Sequence, residues 1–303
     1  MRWKHAWLIG LMLVPPGAVQ AGEPGSAGVP FLRLGLGARA SAMGEAYSAV
    51  AEDASSVFFN PGAMPAVLGT HLSLVHNEYF QSMRFEQAAI THETKWGTFG
   101  FMFTGLYMDD MERRDDAPSQ VALGTFGSYD VAVAVAYGRY IVPNVAVGIS
   151  IKPVYERIDE LSASGLAFDA GVYHVSRIPG VKLAATVANL GTPMKYEVQE
   201  FALPRYARLG ASYEREVPSI DGRVLFTFDA MFPNDDGVRE HFGGEYSYRR
   251  MVSLRAGYKA GYDSQGATFG FGVVYHEMGL DYAFLPVSND LGDSHRFGLN
   301  FSF

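Results

Sequence analysis

A period-two alternation of apolar and polar residues runs through this chain from about residue 70 to its end. In one segment Val147, Ile149 and Ile151 share a face, while Ser150 and Lys152 lie on the other. Successive side chains of a β-strand point to opposite sides, so the pattern predicts an all-β fold whose strands each have one apolar face. The predicted strands are residues 70–78, 84–93, 97–107, 129–141, 145–156, 164–175, 181–190, 205–215, 222–232, 239–249, 252–261, 266–276, 278–286 and 294–303.

The polar face of these strands favours a membrane barrel. It is rich in Gly, Ala and Ser with scattered charges, which suits a lumen, and Phe and Tyr recur near the segment ends as in outer-membrane barrels. Short connections alternate with longer ones, as expected for turns on one side of a membrane and loops on the other. The sequence therefore predicts an antiparallel transmembrane β-barrel of about fourteen strands over residues 70–303. A soluble exported β-sandwich also alternates and is the alternative.

The first 21 residues have the features of a secretory signal peptide. Arg2 and Lys4 form a basic start, an apolar stretch follows, and residues 19–21 fit a cleavage site. The apolar stretch is well short of the ~20 residues that a membrane-spanning helix needs, and no later stretch is long enough. We therefore expect residues 1–21 to be removed and the mature chain to reach the outer membrane of a Gram-negative bacterium. An uncleaved N-terminal anchor is the alternative.

Residues 22–69 do not alternate. Residues 38–50 have the spacing of a helix, and Asn60 before Pro61 is predicted to cap a short helix over residues 62–67. Because about fourteen strands enclose a lumen too wide for wall side chains to fill, we expect this domain to be a hatch in the lumen. A periplasmic appendage is the alternative. The candidate hatch and turn residues are Arg39, Glu45, Tyr47, Glu52, Asp53, Phe58, Phe59, Asn60 and Pro61.

Charged side chains of both signs lie on the predicted lumen face. They either steer a permeating solute or pair with one another and with Arg39, Glu45 and Glu52, and we favour the pairing. The residues are Lys152, Asp169, Lys182, Arg208, Asp229, Glu245, Arg255 and Lys259. The charged loop over residues 109–116 is expected to be a solvated outer loop, with binding of cations among lipopolysaccharide headgroups as the alternative.

The composition excludes several classes of function. The chain has no cysteine, which excludes disulfide scaffolds, thiolate metal sites and cysteine nucleophiles. Its net charge of −8 argues against a nucleic-acid partner. No catalytic motif is present, and His71 and His76 face opposite sides of a predicted strand, which argues against a shared metal. We therefore expect no enzyme activity, no metal and no cofactor.

Several stretches resemble the PorV/PorQ family of outer-membrane proteins. LGARASAMGEAY at residues 36–47 and AEDASSVFFNPG at residues 51–62 look like the N-terminal signature of that family, and parts of residues 162–169 and 280–297 are also similar to its pattern. More distantly, the chain resembles the long-chain fatty-acid transporters of the FadL type, although Gly62 stands where these usually have Ala. The resemblance implies a 14-stranded barrel with an N-terminal hatch. Separately, Phe303 ends an alternating last strand and looks like the insertion signal of outer-membrane proteins, which the barrel-assembly machinery would read.

Two functions follow from the resemblance. The first is support of protein secretion or surface attachment of cargo, in a type IX-like manner. The alternative is FadL-type transport of long-chain fatty acids or other hydrophobic solutes, with Met43, Tyr47, Phe58 and Phe59 either lining an apolar pocket or forming the core of the hatch. The expected partners are outer-membrane lipid, lipopolysaccharide, the barrel-assembly machinery, and either secreted cargo proteins or hydrophobic small molecules.

Overall fold

A computed structural model describes residues 27–50, 52–78, 83–114, 121–288 and 292–303. The predicted signal peptide lies outside these residues, as do residues 115–116 of the charged loop. Sixteen strands are present in the described part of the chain, and fourteen of them form one closed antiparallel barrel. Those fourteen are β1 (Thr70–Glu78), β2 (Arg84–Thr94), β3 (Gly97–Arg113), β4 (Gly124–Val142), β5 (Val145–Ile158), β6 (Leu161–Val175), β7 (Val181–Gly191), β10 (Tyr206–Val217), β11 (Gly222–Pro233), β12 (Arg239–Tyr248), β13 (Val252–Ala260), β14 (Ala267–Tyr275), β15 (Met278–Pro286) and β16 (Asp293–Ser302).

The barrel closes because β1 pairs with both β2 and β16. The predicted fold class is therefore confirmed, and the β-sandwich alternative is wrong because the sheet has no second layer and no free edge. One element was not predicted, a hairpin of β8 (Met194–Tyr196) and β9 (Gln199–Phe201) that forms a separate two-stranded sheet. The hairpin lies between β7 and β10 in the sequence but not in the barrel, where β7 pairs directly with β10. Strands of three residues are too short to show a period-two pattern.

The two faces of the wall differ as the alternation predicts. Ile149 and Phe226 point outward and are 63% and 59% exposed, whereas the neighbouring Ser150 and Leu225 are buried inside. This apolar outer surface is the arrangement of a barrel that lies in lipid. None of the helices in the described residues combines the length and apolar character needed to span a membrane.

The two ends of the barrel differ in their connections. One end, which we call the turn end, carries Thr70, Phe303 and six short turns, such as residues 95–96 and 143–144. The opposite end, the loop end, carries longer connections such as residues 192–205 and 261–266. The predicted strands over residues 145–156 and 164–175 leave a loop over residues 157–163, and this prediction is wrong. In the structure β5 and β6 both extend into that stretch and leave only a two-residue turn at residues 159–160.

Residues 27–50 and 52–68, which we call the N-terminal segment, lie inside the barrel. They hydrogen-bond to inward-facing groups on strands all round the wall, among them Gln87 on β2, Asp229 on β11 and Arg296 on β16. A segment that contacts opposite walls must occupy the lumen between them. Its helices are α1 (Ala38–Ala42) and α2 (Ser56–Phe59), with 3₁₀ turns at Pro30–Arg33 and Met64–Ala66.

Two predicted helices of this segment are wrong in extent. The helix predicted over residues 38–50 ends at Ala42, because Gly44 and Glu45 adopt positive φ angles of 63° and 61° that stop a right-handed helix. In place of a helix over residues 62–67, the structure has α2 immediately before Asn60 and only a 3₁₀ turn after it.

Candidate functional site

Wall glycines let the N-terminal segment approach the strands closely. A Cβ built at Gly148 on β5 would lie 2.2 Å from the carbonyl oxygen of Pro61, and one at Gly257 on β13 would lie 2.1 Å from the backbone nitrogen of Gly44. Both distances are shorter than any van der Waals contact, and both involve backbone atoms. The segment and the wall therefore fit only because these positions carry no side chain.

Asn60 fixes the segment to itself and to the wall. Its Nδ2 donates to the carbonyl oxygens of Ser48 and of Val172 on β6, both at 3.1 Å, and its Oδ1 accepts from the backbone N–H of Gly62 at 2.9 Å. Asn60 therefore follows α2 as its C-cap and does not begin a helix. Every polar atom of the side chain is used, which explains why Asn precedes Pro61 here.

Four residues predicted either to line an apolar pocket or to form the core of the hatch pack in a core that the segment shares with wall residues such as Met102 and Leu225. Met43, Tyr47, Phe58 and Phe59 are all buried and belong to one apolar cluster. The ring of Phe59 lies 5.4 Å from that of Tyr47 and 5.0 Å from that of Phe58, within the range of favourable aromatic contact. These side chains fill space and stabilise the docked segment.

Near the turn end, buried and partly buried charges join the segment to the wall. We call Arg39, Glu52, Arg223, Glu245 and Arg255 the Glu245 cluster. Glu245 on β12 accepts from Nε and Nη2 of Arg39 at 2.8 and 2.7 Å and from Nε of Arg255 at 2.6 Å, and Glu52 accepts from Arg39 at 2.6 Å and from Arg223 at 2.8 Å. Charge-assisted bonds of this kind are strong and directional. They tie Arg39 and Glu52 to three strands.

Asp53 supports this cluster from within the segment. It accepts a hydrogen bond from the phenol of Tyr47 at 2.5 Å, and one of its oxygens lies 3.7 Å from Arg39. It also accepts from the backbone N–H of Ser55 at 2.9 Å, just before α2. Its role is thus to order the turn that leads into α2.

A second group of charges lies deeper toward the loop end. We call Glu45, Lys259 and Arg296 the Glu45 cluster. Nζ of Lys259 on β13 is 2.8 Å from Glu45, and Arg296 on β16 is 3.8 Å from it and donates to the carbonyl oxygen of Gly35 at 2.8 Å. Nearby, Asp229 accepts from the backbone N–H groups of Tyr47 and Ser48, both at 3.0 Å.

The pairing predicted for the lumen charges is confirmed. Lys152 pairs with Asp169, Arg208 with Asp229, and Lys182 with Glu214, while Glu245, Arg255 and Lys259 pair within the two clusters. Each of these charges therefore has a partner of opposite sign within ion-pair distance.

A cavity of about 250 Å³ lies between the N-terminal segment and the wall at the loop end. The segment contributes Pro30, Arg33, Leu34 and Glu45. The wall and its loops contribute the remaining lining residues, which are Arg239, Lys259, Tyr262, Gln265, Leu285, Val287, Ser294 and Arg296. Arg33, Arg239 and Tyr262 are not among the site residues predicted from sequence, because nothing in their spacing indicates that three distant parts of the chain meet here.

A match to a known protein family assigns this chain to that family. The model of the uncharacterised protein family UPF0164 matches residues 22–191, more than half of the chain. The chain belongs to the UPF0164 family. No curated protein matches the sequence.

Among solved structures, this UPF0164 member is similar to outer-membrane barrels of the FadL type. The toluene transporter TbuX of Ralstonia pickettii has a TM-score of 0.61 at 13% identity, covering 89% of this chain and 98% of TbuX. The toluene transporter TodX of Pseudomonas putida has a TM-score of 0.59 at 12% identity, covering 88% and 96%. A FadL homologue of Pseudomonas aeruginosa has a TM-score of 0.53 at 12% identity, covering 88% and 97%. At these identities the similarity establishes the shared barrel fold.

The charges of the UPF0164 chain shift the pKa values of two carboxyl groups in its N-terminal segment. Burial raises the pKa of Glu45, but the positive charges of Lys259 and Arg296 outweigh burial and lower it from 4.5 to about 2. Burial likewise raises the pKa of Glu52, and the charges of Arg39 and Arg223 lower it to about 2. Both groups are therefore more acidic in the docked segment than in a released one.

We expect acid to release the segment before it unfolds the barrel. A carboxyl group whose pKa is lowered by docking stabilises the docked state fully above about pH 5 and loses that contribution as the pH falls to about 2. Each of Glu45 and Glu52 contributes roughly 3 kcal/mol by this relation. Hydrogen exchange corrected for intrinsic rates should show protection of residues 38–60 at pH 6 and its loss at pH 2. Equal protection at both pH values would contradict the account.

Proposed function

We propose that this protein is an outer-membrane channel for small, largely apolar solutes, whose lumen is closed by the N-terminal segment. The observation that carries the proposal is the docked segment, which contacts strands all round the lumen of a barrel similar to toluene transporters over 88–89% of the chain. A barrel of fourteen strands without such a segment would be an open pore.

Placement in the outer membrane of a Gram-negative bacterium is part of the same proposal. The apolar outer surface supports it, and so does the similarity to outer-membrane barrels. The predicted signal peptide would direct export, and Phe303 would be read by the barrel-assembly machinery. Phe303 is 76% exposed at the turn end, where its carbonyl oxygen accepts from Thr70 N–H, so its ring is available to a partner.

Transport by this route requires the segment to loosen. Hydrogen bonds, ion pairs and packing hold the segment, and no disulfide can fix it to the wall because the sequence has no cysteine. Such contacts are reversible, and the segment is a separate stretch of chain that is joined to β1 only at Gly69. It can therefore act as a hatch without any change in the barrel wall.

The test uses a lock between the segment and the wall. A Cβ built at Gly298 on β16 lies 3.3 Å from Cβ of Ala38, close to the ~3.8 Å typical of a disulfide. The double variant Ala38→Cys/Gly298→Cys is therefore expected to form one. We expect cells of a Gram-negative host without its own toluene transporter to take up labelled toluene faster when they carry this protein, and oxidation of the double variant to abolish the gain until a reductant is added. A folded, outer-membrane-inserted barrel that gives no gain in uptake would overturn the proposal.

Support of protein secretion is the second candidate. The sequence resemblance of residues 36–62 to the PorV/PorQ signature favours it, and a lumen held shut by two charge clusters suits a platform for cargo. Deletion in the native organism distinguishes the two: a platform predicts loss of surface proteins with normal uptake of toluene, and a channel predicts the reverse.

A further inference from the structure

The cavity at the loop end has a lining with two chemically different parts. Four cationic side chains, Arg33, Arg239, Lys259 and Arg296, line it with a single carboxylate, Glu45. Pro30, Leu34, Leu285 and Val287 supply apolar surface. A lining of this kind fits a molecule that has both an anionic group and an apolar body.

The ion pairs around the cavity leave an excess of positive charge. Arg33 pairs with Asp235 at 2.5 Å, Arg239 pairs with Asp236, and Lys259 pairs with Glu45 at 2.8 Å. Asp235 and Asp236 lie outside the lining. Even with them counted, the four cations of the lining have three carboxylate partners, because Arg296 shares Glu45 with Lys259 at the longer distance of 3.8 Å. One monovalent anion would balance this excess.

Two guanidinium groups of the lining also keep unused donors. Arg296 is only 1% exposed, and among the described residues its Nε has no hydrogen-bond partner. The same holds within that part of the chain for Nε of Arg239, whose guanidinium lies 4.4 Å from the ring centroid of Tyr262. A buried N–H without a partner is costly, and a guanidinium is suited to binding carboxylate oxygens. The guanidinium groups of Arg239 and Arg296 thus give the lining of the cavity two groups suited to an oxyanion.

The volume sets the size of the ligand. About 250 Å³ corresponds to the liquid volume of roughly eight water molecules. A carboxylate on a single aromatic ring, with about ten non-hydrogen atoms, falls within that limit, and a long alkyl chain does not.

From this geometry we infer that the cavity binds a small organic acid, with its carboxylate held by Arg239 and Arg296 and its apolar body against Leu34, Leu285 and Tyr262. The inference deepens the proposed function, on which it rests for its role in transport, by naming acids with a compact apolar body as the solutes selected at the loop end. Binding itself does not depend on transport.

The test is calorimetry on the purified full-length barrel in an uncharged detergent. Benzoate is expected to bind, and benzamide, its neutral counterpart of nearly equal shape, should bind about tenfold more weakly or worse. Arg239→Gln should weaken benzoate binding by a similar factor. The matched control is Arg249→Gln, which changes an exposed arginine paired with Asp221 at the turn end and should leave binding unchanged.

Several results would overturn the inference. Equal binding of benzoate and benzamide would exclude recognition of the charge. Unchanged binding in Arg239→Gln would exclude this cavity, and binding of dodecanoate but not benzoate would exclude the size limit. These failures differ from failure of the proposed function, since benzoate bound normally by a barrel that gives no toluene uptake would overturn transport alone.

Discussion

Replacement of Glu245 by glutamine is expected to detach the N-terminal segment from the wall. One buried carboxylate here serves Arg39, Arg223 and Arg255 at 2.6 to 3.0 Å. Glutamine has nearly the same size as glutamate but carries no charge. Its side-chain NH₂ group is a donor and would face the N–H donors of the arginines. The three guanidinium groups would keep the weaker or shared partners Glu52, Asp53, Glu214 and Asp281, and none of these replaces the charge that all three share at Glu245. Breaking a buried ion pair from one side costs about 3–5 kcal/mol.

The effect of Glu245→Gln is measured by protease accessibility of residues 27–68 and by the urea midpoint of their release. The matched control is Glu216→Gln, which removes the same charge from a pair with Arg250 whose side chains are 56% and 77% exposed. Such surface pairs contribute about 0–1 kcal/mol. If both variants release the segment at the same urea concentration, the Glu245 cluster does not hold it.

Gly257→Ala is expected to open the lumen. The new methyl group would lie 2.1 Å from the nitrogen of Gly44 and 2.4 Å from the carbonyl carbon of Met43, and neither backbone atom can rotate away as a side chain can. Overpacking usually costs about 1–3 kcal/mol, and this overlap is more severe than most. Because β13 is fixed by two neighbouring strands, the segment must move.

Ion conductance in planar bilayers measures that opening. Gly257→Ala should show long-lived open levels that the unaltered protein lacks. Gly244→Ala is the control on the adjacent β12, where the nearest atoms would lie at 3.9 and 4.0 Å, an ordinary contact. A heat-dependent shift in gel mobility for both variants would show that both barrels are folded. Identical conductance of the two variants would mean that contact at Gly257 does not keep the lumen closed.

The barrel could be predicted from the sequence because alternate residues of each strand face lipid, which requires apolar side chains, and the lumen, which favours polar or small ones. The fourteen predicted strands match the barrel strands closely, as at residues 70–78 and 278–286. The ends of β3 and β4 were harder to predict, since both strands extend past the apolar band and lose the alternation there. Because strands that follow each other in the sequence through short connections pair as antiparallel hairpins, the order of the strands in the barrel follows from the chain order.

The conformation of the N-terminal segment was harder to predict from the sequence, because contacts with the wall determine it more than the local secondary-structure propensity does. The helix over residues 38–50 is broken where Gly44 meets β12 and β13, which no local pattern reveals. The sequence identified Arg39, Glu45 and Glu52 as partners of wall charges but not which strand would supply each partner. That information lies in the barrel register and in the depth of the segment. The role of the segment as a hatch stays a prediction.

The most direct test of whether the N-terminal segment lies inside the barrel is the extent of disulfide formation between the segment and the wall. The chain has no cysteine of its own, so free thiols in Ala38→Cys/Gly298→Cys report this pair alone. The reference is Gly279→Cys/Asn300→Cys, a pair between β15 and β16 whose Cβ atoms lie 3.6 Å apart. If residues 27–68 fill the lumen, both variants will lose their free thiols to the same extent on mild oxidation. Thiols that stay free at positions 38 and 298 while the reference pair closes would place the segment outside the barrel.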